Sequence, residues 1–77
     1  MTEHGFVLFH TTSMAMRADR TLRKAGLPAR LVPTPRQLSS DCGIAIRFEL
    51  PDQELILGAL SDAGVEPAQV AHLETPG

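Results

Sequence analysis

Hydrophobic and polar positions divide the chain into strand-like and helix-like segments. Residues 6–10 are apolar at both alternate sets of positions, which is typical of a central strand, whereas 43–50 alternate between apolar and polar side chains. Residues 29–34 and 65–73 show weaker strand patterns, each containing a proline that cannot donate a hydrogen bond to a sheet. The pattern therefore predicts four strands, and Pro33 favours an edge position for the second.

Two segments with helical periodicity lie between these strands. Residues 14–25 follow a cluster of hydroxyl side chains that favours an N-cap, and Gly26 stands where a helix-ending glycine is expected. The second helix is predicted to begin at Pro51 and to end before Gly64. The predicted apolar faces of the two helices are Ala15, Ala18, Leu22 and Ala25, and Leu55, Ile56, Ala59, Leu60 and Ala63.

The chain also repeats itself with a shift of 38 residues. Residues 5–8 fall on 43–46, and 25–27 fall on 63–65, so that each half reads strand, helix, strand. This arrangement predicts an α+β, ferredoxin-like βαββαβ fold: a four-stranded antiparallel sheet in the order 4-1-3-2, with two helices on one face. We expect a single domain over 1–77, with its core in 5–73 and a tail at 74–77.

Composition narrows the classes of protein. The 77 residues are 43% hydrophobic, enough apolar surface to offset the entropy of ordering a small domain. No apolar run approaches the length of about 18 residues that a membrane helix needs. The net charge of −2 and the lack of Tyr and Trp disfavour a nucleic-acid partner. The N-terminus lacks a signal-peptide pattern and the only cysteine cannot form an internal disulfide, so we expect a cytoplasmic protein.

The predicted topology brings the end of the first strand and the start of the third strand to the same end of the sheet. A cysteine near a helix N-terminus and an arginine favours the nucleophilic thiolate, and the nearby backbone N–H groups favour an anion. Cys42 is the candidate reactive residue. The candidate anion-binding or partner-binding residues are His10, Thr12, Ser13, Arg36, Ser39, Ser40 and Gly43.

Structural roles also explain the same residues. Cys42 shares its strand parity with Ile44, Ile46 and Phe48, so it is also a candidate core residue. Arg36 is a candidate solvated loop charge, and the two serines of the loop have ordinary turn chemistry. The three histidines have no ligand spacing, so the sequence predicts no metal and no cofactor.

Charge is uneven along the chain. Residues 1–40 hold six basic and two acidic side chains, whereas 41–77 hold one and seven. The basic first helix and the acidic second helix favour a charged partner or a second copy, unless both faces are simply solvated. We also expect an uncovered apolar sheet face at Val7, Phe9 and Ala45, which favours a homodimer.

Several of these motifs resemble a known family. The stretches Phe9-His10-Thr11-Thr12, Pro33-Thr34-Pro35-Arg36 and Ser39-Ser40-Asp41-Cys42-Gly43 are similar to those of the small bacterial and archaeal selenium/sulfur carrier-like proteins. The resemblance covers about residues 6–65. It implies that Cys42 bears the sulfur or selenium and that Arg36, Ser39 and Ser40 shape its surroundings.

Three functions follow from this reading. The first is a carrier that holds sulfane sulfur or reduced selenium on Cys42 and exchanges it with donor and acceptor proteins. The second is a non-catalytic module that recognises a partner protein or small anion through the 35–41 loop. The third is a regulatory domain with a metabolite at a dimer interface. The sequence favours a carrier or binding protein over a turnover enzyme.

Overall fold

A computed structural model of the protein describes residues 2–38 and 42–75. In chain order the elements are strand β1, helix α1, strands β2 and β3, a short 3-10 turn, helix α2 and strand β4. Their bounds are Thr2–Leu8, Thr12–Lys24, Ala29–Pro33, Ile44–Glu49, Leu50–Asp52, Gln53–Asp62 and Gln69–Thr75. No helix in the described part of the chain is long and apolar enough to cross a membrane.

The four strands form one antiparallel sheet in the order β2-β3-β1-β4. This confirms the predicted order and the edge position of β2. In the pairing of β1 with β3, Leu8 lies opposite Ala45, so the end of β1 and the start of β3 meet at one end of the sheet. His4 lies opposite Glu49 at the other end.

The core lies between the helices and one face of the sheet. Ala15, Ala18 and Leu22 of α1 and Ile56 and Leu60 of α2 are at most 1% exposed. They form one cluster with the inward side chains of the sheet, among them Val7, Phe9, Ile46 and Phe48. Burial of these side chains supplies most of the driving force for folding, because each fully buried large aliphatic or aromatic side chain contributes about 1.5–3 kcal/mol.

The two helices end in the same way, 38 residues apart. Gly26 and Gly64 have φ values of +71° and +72°, a region that glycine enters without steric cost. After each glycine, a backbone N–H reaches back to close the last turn: Leu27 N donates to Leu22 O at 3.0 Å, and Val65 N donates to Leu60 O at 2.9 Å. The internal repeat therefore has a structural counterpart at its helix ends.

The first and last strands have bounds that differ from the predicted ones. β1 begins at Thr2 because its first residues pair with β4, Thr2 with Thr75 and Glu3 with Glu74, and such backbone pairing needs no apolar side chains. It ends at Leu8, before the chain turns to start α1. Two residues of the predicted tail thus belong to β4, and 76–77 lie outside the described residues.

Several predicted faces are also wrong. Leu55 is 61% exposed, because α2 turns Ile56 and Leu60 toward the sheet and places Leu55 on the opposite side. Ala25 is exposed because α1 ends at Lys24. Val7 and Phe9 were expected on the uncovered sheet face, yet both belong to the helix-side core. This removes two of the three residues on which the predicted homodimer rested.

The other sheet face carries Phe6, Leu8 and Ala45, as the strand parity requires. Each of these side chains is at most 2% exposed, although neither helix belongs to this face. β1 and β3 are the two central strands, so their side chains are flanked by neighbours from the adjacent strands. The sheet thus buries apolar side chains on both faces of its central pair.

Gly5 permits the close packing of β1 against a core aromatic ring. It lies opposite Phe48 in the sheet, and a Cβ atom at Gly5 would stand inside the space of the Phe48 ring. Phe48 is itself only 2% exposed, so the ring has little room to move away. A side chain at position 5 would therefore overpack the core.

We predict that Gly5→Ala lowers the free energy of unfolding by about 1–3 kcal/mol, the usual effect of overpacking. The matched control is Gly58→Ala in α2, where no atom lies within 4 Å of an added Cβ. That change should raise stability by about 0.5–1 kcal/mol, because alanine is the better helix former. Urea denaturation of both variants measures the difference, and equal effects would contradict the Phe48 account.

Candidate functional site

Cys42 lies two residues before β3, at the end of the sheet where β1 ends. The residue is only 2% exposed. Its Sγ lies 3.6 Å from Oγ1 of Thr12 and donates to that hydroxyl in the thiol form. Thr12 is the first residue of α1, so this contact places the sulfur at the start of the helix.

The N-terminus of α1 is built to present positive charge. Thr11 is the N-cap, and its side chain accepts a hydrogen bond from Met14 N at 3.2 Å. The helix therefore begins two residues earlier than the sequence predicted, with Thr12 and Ser13 in its first turn. No acidic residue occupies that turn, so no carboxylate opposes the positive end of the helix dipole. The positive end of the dipole therefore lies beside the Cys42 sulfur.

Thr34 anchors the backbone around Cys42 and was not among the predicted site residues. Its hydroxyl donates to the Cys42 carbonyl at 3.0 Å, and its N–H donates to the Gly43 carbonyl at 3.0 Å. Two hydrogen bonds thus tie the end of β2 to the peptide that carries the cysteine. The Pro-Thr-Pro-Arg motif contained the signal, since its threonine supplies the motif's only hydroxyl and, among the first three residues, the only backbone N–H.

The remaining predicted site residues that the structure describes lie around this end of the sheet. His10, Ser13, Arg36 and Gly43 are exposed. Arg36 lies in a turn that Leu38 N closes onto Pro35 O at 3.0 Å. The space beside Gly43 is open, with no atom within 4 Å of a Cβ position. The predicted loop residues Ser39 and Ser40 lie outside the described residues.

The burial of Cys42 supports its other predicted role as well. It belongs to the same hydrophobic cluster as Ile46, Phe48 and Val65. The strand parity in the sequence therefore indicated its side correctly. The sulfur combines a polar contact at the start of α1 with apolar neighbours in the core.

The described residues, 2–38 and 42–75, contain no group of three or more His, Cys, Asp or Glu side chains that could hold a metal ion. His4 and His72 lie at the end of the sheet opposite to Cys42. There His4 Nε2 is 3.3 Å from Glu49 Oε1, and His72 Nε2 is 2.6 Å from Gln53 Oε1.

The fold and the site define a small α+β protein whose single cysteine precedes a central strand and places its sulfur against the first residue of helix α1. The chain belongs to the family described as "Putative Se/S carrier protein-like", whose model matches residues 4–72. A search of curated proteins and of solved structures finds no match. The ferredoxin-like assignment accordingly stays a prediction, whereas the strand order and the family are shown.

We predict that Thr34→Val destabilises the protein by about 1 kcal/mol, because the Cys42 carbonyl loses its hydroxyl donor. The same loss should make local opening at Cys42 more frequent and raise its native alkylation rate by about fivefold. The matched control is Thr21→Val, since the Thr21 hydroxyl donates to Arg17 O on α1, away from the site. Thr34→Ser should retain the wild-type rate, and an unchanged rate in Thr34→Val would show that Thr34 does not restrain Cys42.

Proposed function

We propose that the protein carries sulfane sulfur or reduced selenium on Cys42. The observation that carries this proposal is the position of the only cysteine, 3.6 Å from the hydroxyl that opens α1, in a member of the carrier-like family. A carrier needs one nucleophilic thiol and no resolving thiol, which agrees with a single cysteine. The helix N-terminus stabilises both the thiolate and the anionic end of a loaded persulfide or perselenide.

Loading is a transfer without net oxidation. The Cys42 thiolate attacks the outer sulfur of a donor persulfide. The new S–S bond forms at Cys42 while the S–S bond of the donor breaks, and the donor leaves as a thiolate. The proton on the outer sulfur stays with the transferred atom. Selenium follows the same scheme from a perselenide donor, and unloading is the reverse exchange with an acceptor thiol.

Burial of Cys42 governs how this exchange proceeds. At 2% exposure the sulfur meets small molecules in solution only when its segment opens locally, which slows the loss of a labile cargo. Exchange then requires a partner that reaches the sulfur or a local opening of the segment. The open space beside Gly43 offers the approach, because a donor chain can contact the backbone there without a side chain in its way.

The partners of such a carrier are a sulfur or selenium donor protein and an acceptor protein. His10, Ser13 and Arg36 are exposed at the end of the sheet that carries Cys42, and they form the surface that those proteins would contact. In this proposal Arg36 attracts the anionic cargo or the partner, together with Ser39 and Ser40. A reducing cytoplasm is the compartment in which a lone thiol stays available for the exchange.

We predict that the reduced protein, incubated with a small-molecule persulfide or perselenide, gains the mass of one sulfur or one selenium atom. A reductant should remove the added atom, because a persulfide is reducible whereas an alkylated or over-oxidised thiol is not. Intact-mass spectrometry of the native protein measures the gain. Cys42→Ser, checked for folding by circular dichroism, is the control and should gain nothing.

A second prediction concerns the hydroxyl beside the sulfur. Thr12→Val should slow loading by about tenfold or more, because the anionic sulfur loses a hydrogen bond to a charged group worth about 1.5–3 kcal/mol. Thr12→Ser keeps the hydroxyl and should load as the wild type does. Thr21→Val, the same substitution elsewhere on α1, controls for the change in helix stability. Equal loading of all four proteins would show that Thr12 does not assist the thiolate.

The alternative function is a binding module in which Cys42 is only a core residue. Its membership in the hydrophobic cluster favours this view. The module would take no sulfur or selenium from any donor, and Cys42 would react with an alkylating agent only after denaturation. Cys42→Ala would then leave partner capture unchanged, whereas Arg36→Ala would weaken it. Loading of the native protein decides between the two functions.

A further inference from the structure

Two arginines lie opposite each other on neighbouring strands, at the end of the sheet away from the cysteine. In the pairing of β2 with β3, Arg30 lies directly opposite Arg47. Ile46 and Phe48 belong to the helix-side core, so strand alternation places Arg47 and its partner on the other face. Like charges directly opposite each other destabilise a sheet. An arrangement that costs stability calls for an explanation in binding.

The described residues provide neither arginine with an ion pair. Among residues 2–38 and 42–75, the close contacts between basic or histidine nitrogens and carboxylates join His4 to Glu49, Arg23 to Asp19 and His72 to Glu3. The last of these shows the contrast. Glu3 also lies opposite a like charge, Glu74, but it has His72 Nδ1 at 3.9 Å. Arg30 and Arg47 have no such compensation within the described chain.

The arginines line a cleft of about 240 Å³ at the start of β2 and the end of β3. Leu27, Pro28 and Phe48 also line the cleft, and the Phe48 side chain itself lies in the helix-side core. This volume is below the usual range for drug-sized ligands and suits a small molecule with one charged group. Glu49 also lines the cleft, and its carboxylate lies 3.3 Å from Nε2 of His4.

We propose that this cleft binds a small oxyanion, best matched by a phosphate monoester. Each guanidinium offers a planar fork of N–H donors, and two opposed forks suit a group with several acceptor oxygens. A dianion neutralises both arginines at once and so removes the repulsion between them. The apolar walls accommodate the small organic body that carries the phosphate. The cleft and Cys42 lie toward opposite ends of β3, so this site is independent of the proposed carrier function.

The test measures binding of inorganic phosphate, glycerol 3-phosphate and acetate to the full chain, at ionic strength held constant with chloride. Backbone amide shifts in NMR spectra report the site. We expect saturable shifts confined to residues 27–30 and 47–49, with phosphate or its monoester binding more tightly than acetate. Absence of saturable binding by both phosphate compounds would overturn the proposal. Equal binding of acetate would overturn the preference for a dianion.

Substitutions identify the groups responsible. Arg30→Gln should weaken phosphate binding about tenfold or more, as expected for the loss of a hydrogen bond to a charged group. Arg20→Gln removes the same charge from the exposed face of α1 and should bind as the wild type does. If the two variants weaken binding equally, the attraction is only a general effect of net charge and the site is refuted. Cys42→Ser should bind phosphate normally, which separates this proposal from the carrier function.

The stability of the unliganded protein supplies a second readout. If the opposed arginines repel each other, Arg30→Gln should raise the urea midpoint in the absence of phosphate and abolish the further increase that phosphate produces in the wild type. A lower midpoint in the absence of ligand would show that Arg30 has a structural role instead. That result, together with unchanged phosphate binding, would overturn the assignment.

Discussion

The antiparallel pairing of β1 with β3 is the constraint on which the rest of the structure depends. It places Leu8 opposite Ala45, so the chain leaves β1 at the same end of the sheet where it later enters β3. Helix α1 starts four residues after Leu8, and Cys42 precedes β3 by two residues. A slip of one residue in this register would exchange the two faces of the strand and direct the inward side chains of β3 away from the helices. The contact between Cys42 and Thr12 is a consequence of the register.

Cys42 combines two roles that usually occur in separate residues. Its neighbours in the cluster are apolar, as for a structural cysteine, yet its sulfur meets a hydroxyl and the positive end of a helix. Thr34 completes the arrangement by holding the carbonyl of the same residue. Apolar surroundings shield the sulfur, and its polar contact places it at the first residue of α1. The proposed carrier would use both properties.

Like charges directly opposite each other lower the stability of a sheet, and Arg30 and Arg47 form such a pair between β2 and β3. Arg30 and Arg47 would be expected to carry opposite signs if sheet stability alone had shaped the β2–β3 pair. Local conflicts with the rules of folding are concentrated at functional sites in natural proteins. The two ends of β3 thus carry different chemistry, a thiol at one end and a pair of guanidinium groups at the other.

Most of the fold follows from local sequence features. The periods of the apolar positions, the glycines at 26 and 64 and the 38-residue repeat predicted the elements, the strand order and the ends of the helices. They also placed Cys42 on the inward parity of its strand. The family resemblance on the Pro-Thr-Pro-Arg and Ser-Ser-Asp-Cys-Gly motifs agreed with the family that the chain belongs to. These features are readable because each depends on neighbours along the chain.

Tertiary structure alone decided the partners across the sheet. The extension of β1 to Thr2 rests on backbone pairing with β4, which leaves no apolar pattern. Val7 and Phe9 lie on the helix side because the register of the whole sheet sets their face. The hydrogen bonds of Thr34 to Cys42 and Gly43, and the opposition of Arg30 and Arg47, join residues whose proximity no local pattern records. Sequence periodicity encodes which side of an element is buried, whereas the register, set by all the strands together, determines what each side chain meets.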